Sequence, residues 1–198
     1  MNLKTPRWRH AANGAALVAI LSAAAIVLHT TPDRDLQQSP ISVPGSLGEP
    51  ATGRNIRATV HSVAVTEAVT AGTGWAGGTP GVWVVVNLSV EAVETDEMAI
   101  LGTALLRVGD THFSASTRPG RTATVVGGRL ATGIPLTGPL MFEVPADVAS
   151  STSAADATLE FAISSDPRVD SLLVVPVDLG DLPVQESLDV DVPEWGAR

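Results

Sequence analysis

The chain has 198 residues, enough for one domain with a sizeable core once an N-terminal segment is set aside. It contains no Cys, which excludes disulfides, zinc–thiolate sites and a lipidated cysteine, and its wealth of small and β-branched residues with 4% aromatics suits a β core better than a helical bundle. Three of the 12 basic residues, Lys4, Arg7 and Arg9, precede the first acidic residue, Asp33; the remaining nine face 21 acidic residues, a net charge of −12 that argues against nucleic acid and anionic lipid as partners of the main body.

Ala11 to Leu28, "AANGAALVAILSAAAIVL", is uncharged over 18 residues. That exceeds the roughly 7–15 apolar residues of a signal peptide and reaches the lower length of a spanning helix. Cleavage at the small-residue triplet Ala23-Ala24-Ala25 would leave Ile26, Val27 and Leu28 at a new N-terminus, and the stretch after Leu28, "HTTPDRD", carries no cleavage pattern. The reading is an uncleaved single-pass anchor; the alternative is secretion after signal-peptide cleavage. Basic residues lie only before the span, so the N-terminus is expected in the cytoplasm and the rest outside. Residues 30–53 hold four prolines and three glycines without a sustained apolar period and read as a flexible linker.

From Asn55 the period becomes two. Ile56, Ala58 and Val60 share one face; Val63 and Val65 continue it with shifted parity, so a bulge is expected at His61-Ser62. "GTGWAGGTPG" reads as a glycine loop leading into Val82–Val93, where Val82, Val84, Val86, Leu88, Val90 and Ala92 form a continuous apolar face. The opposite face starts with Trp83 and Val85 and turns polar at Asn87, so it is expected to be covered at one end only. Gly109-Asp110 predicts a two-residue hairpin turn. Leu140, Phe142 and Val144, then Ala157, Leu159, Phe161 and Ile163, then Leu173, Val175, Val177 and Leu179 supply three more inward faces. Pro176 places the last of these at an edge or a crossing between sheets. Seven to eight short strands with no long amphipathic helix predict an all-β sandwich.

The order of "NIRATVHSVAV", a Gly-rich segment, "GVWVVVNLSVEAV", "LLRVGDTHFSAS", "GIPLTGPLMFEVP" and a final "VVPVDLG" resembles the telokin-like, immunoglobulin-like domains of unknown function found in bacterial lipoproteins and membrane-anchored exported proteins. The resemblance spans about residues 54–180. It implies an immunoglobulin-like β-sandwich of the cell envelope and carries over no catalytic residues. Many members are anchored through a lipidated Cys; here the apolar span would take that role. The partition that follows is a basic tip (1–10), a transmembrane anchor (11–29), the linker (30–53), the sandwich (54–182) and an acidic tail (183–198).

Chemistry-bearing residues are sparse. Trp75 is expected to fold over the core end near Trp83, the alternative being that Trp75 and Trp83 are exposed partner contacts. Trp195, in the acidic tail, is a third candidate for partner contact, although the composition of the tail after Pro183 suits a solvated disordered segment. Glu91, Glu94, Asp96 and Glu97 lie together but lack the Gly and Asp/Asn spacing of a calcium loop, and are read as a solvated connection. His10, His29, His61 and His112 show no ligand spacing, and Met98 and Met141 have no neighbouring His, which argues against a copper carrier. His112, Ser114 and Ser116 share a strand face without a nucleophile elbow. The expectation is a non-catalytic interaction module with no cofactor and no metal, held in the bilayer by residues 11–29 and binding an unidentified envelope protein or ligand. A ligand- or metal-binding sensor is the alternative.

Overall fold

The computed structural model describes residues 7–31 and 38–196, which divide into two compact units between Ser39 and Pro40. Lys4 and residues 32–37 of the expected linker lie outside the described residues.

The first unit is α1, Arg7–Thr30. Its stretch from His10 to Thr30 is long and apolar enough to cross a membrane, by length and composition, and none of it is buried. At about 1.5 Å per residue its 24 residues extend roughly 36 Å. The hydroxyls of Thr30 and Thr31 donate to the carbonyls of Ile26 and Val27 at 2.8 and 2.6 Å, a second donor at the last turn, where Thr31 N–H also reaches Val27 C=O at 2.9 Å.

The second unit is a β-sandwich of eleven strands, more than the seven to eight expected: β1 Ile41–Pro44, β2 Pro50–Thr52, β3 Ile56–Ala71, β4 Ala76–Ala92, β5 Thr103–Val108, β6 Thr111–Ser114, β7 Leu136–Val144, β8 Ala157–Ala162, β9 Ser171–Val177, β10 Val184–Val190 and β11 Glu194–Trp195. A short helix α2, Ala146–Ala149, and a 3₁₀ turn, Thr152–Asp156, precede β8. One sheet has the order β1-β9-β8-β5-β6, the other β10-β3-β4-β7-β11 with β2 also on β3. Their facing sides interdigitate in one core: Val84, Val86, Leu88 and Phe142 from the second sheet meet Leu106, Leu159, Phe161 and Leu173 from the first. The inward faces expected along β4, β7, β8 and β9 are those observed. The bulge expected at His61 is present as a register shift between Val60 and Ser62. The β5–β6 hairpin turns at Gly109, whose φ of 58° suits glycine.

Three segments differ from expectation. Residues 41–52, assigned to the linker, belong to the domain. β1 adds to β9 in parallel, with Ile41 N–H donating to Asp170 C=O at 2.8 Å and Gly45 N–H to Val174 C=O at 2.9 Å, and Ala51 is buried beside Gly45. Prolines are acceptable there because β1 is an edge strand. β1 reaches only as far as Val174, so Pro176 of β9 lies beyond it and no ladder bond is lost on that side. The "glycine loop" is largely strand: Ala76, Gly77 and Gly78 pair with Thr70, Val69 and Ala68, and only the turn around Gly74 (φ 87°) is loop. The acidic tail forms two strands up to Trp195. β10 pairs in parallel with β3 over Val65–Ala71, and β11 pairs with the start of β7. The mostly exposed side chains of β10 hide this strand from a hydrophobic reading; its backbone ladder to β3 holds it, with Leu188 and Val190 packing inward.

A second irregularity of β3–β4, between Thr66 and Ala68, bends the far end of that hairpin. With β10 it packs on the outer face of its own sheet: Val69, Trp75, Leu188 and Val190 close over Trp83, Val85 and Met141. The outer face of β4 is therefore covered at its start, as its apolar-then-polar pattern implied.

Candidate functional site

The outer face of β3-β4-β7 brings together Trp75, Trp83 and His61 from the residues singled out by sequence. Trp83 is 0% exposed, and Trp75 stands edge-on to it, centroids 5.8 Å apart at 89°. A Cβ at Gly77 would overlap the Trp75 ring, so this glycine makes the seat for the indole. The Arg118 guanidinium lies 5.4 Å from the Trp83 ring centroid and donates to Glu143, the cross-strand neighbour of Trp83, at 2.6 Å; Ser116 Oγ donates to the same carboxylate at 3.0 Å. Trp75 thus caps, but it caps a small secondary core on the outside of the sheet and not the end of the sandwich. Trp83, a candidate for partner contact, offers no surface to a partner, because the bent hairpin buries it. Its indole Nε1 has no hydrogen-bond partner. Trp195 is about half exposed and fixed by the pairing of its backbone with Leu136.

Between β10 and the sheet lies a cleft of about 360 Å³. Ala64, Val85 and Asn87 form its floor, Gly138 and Pro139 one wall, and Leu188 to Val192 the cover. The C-terminal segment crosses this face from β3 to β7 as a strap: Gly72 N–H donates to Val190 C=O at 2.8 Å, and Pro193 sits so close to Gly138 that a Cβ there would lie 2.9 Å from it. Asp189, Asp191 and Glu194 are among the residues lining the cleft with Asn87, so its negative charge favours a cationic or amide group over an anion. Asn87 was read only as the point where a strand face turns polar; its role as cleft floor depends on a strap 100 residues away, which no local pattern announces.

Farther along the same face, His61 Nε2 lies 2.6 Å from Ser89 Oγ, itself 2.6 Å from Thr137 Oγ1. This nucleophile–base contact was not foreseen, because the register of three strands creates it. Ser89 sits on a central strand, paired with Thr59 on one side and Thr137 on the other, where the ladder uses the backbone N–H groups that an oxyanion hole would need. His112 faces Arg107 across the β5–β6 hairpin, and Ser116 is engaged with Glu143.

The acidic connection differs from the solvated loop expected in one residue. Glu91 is 8% exposed and accepts from Arg57 Nη1 at 2.8 Å. Asn55 organises the rest: its Oδ1 accepts the N–H groups of Glu94 and Thr95 at 2.8 and 3.0 Å. Among the described residues no three His, Asp or Glu converge as a metal site. Next to this loop Arg54 donates to Asp170 at 2.7 Å and holds its carboxyl below the usual range, while Arg168 does the same for Asp166.

No protein-family model matches the chain, and no curated protein matches it. Among solved structures it is similar to an uncharacterised β-sandwich protein from Clostridium difficile 630, at 11% identity, over 74% of this chain and 99% of that one, with a TM-score of 0.45.

Proposed function

We propose that this protein is a membrane-anchored, extracytoplasmic, non-catalytic interaction module of the bacterial cell envelope, with an immunoglobulin-like sandwich of the telokin-like kind as its working part. The observation that carries the reading is α1: a 21-residue apolar stretch, His10–Thr30, with no surface buried against protein. In water so much exposed apolar surface is unfavourable by roughly 25 cal/mol per Å², which a bilayer removes. Basic residues precede the span and the acidic domain follows it, which supports an N-terminus-inside orientation. The test is fractionation of cells expressing the full chain. The protein is expected to stay with membranes through salt and carbonate washing, with its C-terminus open to external protease. A soluble mature chain starting near residue 26 would replace the anchor by a signal peptide.

The cleft under the C-terminal strap favours a second reading, a ligand-binding sensor. Titration with small cationic and amide ligands, read by thermal shift, tests it; a response lost in Asn87→Leu would support it.

A further inference from the structure

One end of the sandwich is marked by exposed apolar side chains. There β4 ends at Ala92 opposite the start of β3, β8 ends at Ala162 opposite the start of β5, and β1 and β9 start side by side at Ile41 and Ser171. Short contacts knit the loops of this end together: Arg54 to Asp170, Asn55 to Glu94 and Thr95, and Ile41 N–H to Asp170 C=O. Met98 is 89% exposed, Val169 68% and Ile41 63%; Ile100 and Ile134 are exposed on adjoining loop segments.

Two of these residues stand on unusual backbone. Met98 has φ 56° and Val169 φ 52°. That left-handed region suits Gly or Asn, and a β-branched residue there is an outlier. Within the domain no burial offsets the strain, since both side chains point into solvent. Two strained loop tips that present apolar side chains indicate a contact outside the domain.

The path of the chain specifies which contact. β1 begins at this end, and ten residues separate Ile41 from Thr30, the last of α1. Ten residues reach at most about 35 Å. With α1 in the bilayer, as proposed above, this end is held within that distance of the membrane surface, so lipid is the partner present at highest effective concentration. We infer that Met98 and Val169, flanked by Ile41, Ile100 and Ile134, seat in the interfacial layer of the bilayer and set the domain upright on it. Glu94, Asp96 and Glu97 lie in the same loop as Met98, so the surface suited to this end is zwitterionic, not anionic.

The absence of Cys allows a direct test with the full chain in phosphatidylcholine vesicles. Single variants Met98→Cys, Val169→Cys, Asp110→Cys (the opposite end of the sandwich) and Ala16→Cys (within α1) each carry a nitroxide, and accessibility to oxygen is compared with accessibility to a water-soluble nickel chelate. Labels at 98 and 169 are expected to favour oxygen severalfold over the label at 110. If the label at 16 is lipid-exposed while 98 and 169 match 110, the seating is wrong and the anchor stands. If the label at 16 is reached by nickel, the anchor fails and the seating with it. Protection at 98 and 169 in native membranes but not in pure lipid would make the occupant a protein and overturn the inference. Val169→Asn, which suits the backbone, is expected to keep or raise the melting temperature while reducing protection of a label at 98; unchanged protection at 98 in the folded variant would overturn the part assigned to Val169.

Discussion

Trp75 and Trp83 show how one residue type serves two different burdens eight positions apart. Trp83 is enclosed on every side, so Trp83→Ala leaves a large cavity and is expected to destabilise the domain by about 3–5 kcal/mol. Trp75 is half-buried on a glycine seat, and Trp75→Ala is expected to lose about 1–3 kcal/mol, read by denaturant unfolding. No change in the second variant would mean that the ring is not packed. Asp170 adds a pH-dependent contribution. Arg54 lowers its folded pKa, so the stabilisation is complete above the ordinary carboxylate range, near pH 4, and is lost as pH falls through the lower folded value. Asp170→Asn is therefore expected to lower the melting temperature slightly at pH 7, and the difference is expected to shrink as pH falls below the carboxylate range and the pair is lost.

At the scale of elements, β4 is the strand to probe. Its inner face is sealed by the facing sheet and the start of its outer face by the bent hairpin and β10, so Val85 and Val86 are both buried, at 5% and 0% exposure. Val85→Asp and Val86→Asp are expected to be equally damaging, each by about 3 kcal/mol or more, because each leaves an unpaired charge in apolar surroundings. Asn87→Ser, at the cleft floor, is expected to stay within about 0.5 kcal/mol. A mild Val85→Asp, measured by circular dichroism melting, would show that the third layer is not closed in solution. The alternation of β4 was legible because side-chain direction in a strand is local. That the Trp83–Val85 end is covered was legible in its apolar start; what covers it was not, because the cover depends on a bulge at Thr66–Ala68 and on a parallel partner more than 100 residues distant.

For the whole molecule the consequential correction is where the domain starts. A fragment of residues 38–198 contains β1 and β2, and is expected to fold and melt as the full chain does in detergent. A fragment of residues 54–198, cut at the compositional boundary, loses β1 from β9 and β2 from β3, and is expected to melt roughly 5–10 °C lower. Equal melting of the two would make β1 and β2 adornments of the sandwich.

Sequence alone determined the apolar span, the all-β character, the inward face of each principal strand, the bulge at His61 and the turn at Gly109. Each of these follows from side chains within a few residues of one another: a period of two, a run without charge, a glycine where φ must be positive. Tertiary structure alone decided that residues 41–44, 50–52, 184–190 and 194–195 are strands, since these short or polar segments are held by backbone ladders, most of them to partners far along the chain. It also brought His61, Ser89 and Thr137 into one row and roofed Asn87 with a strap. Register and layer order carry that information, and they are set by the summed fit of two sheets, not by any local pattern.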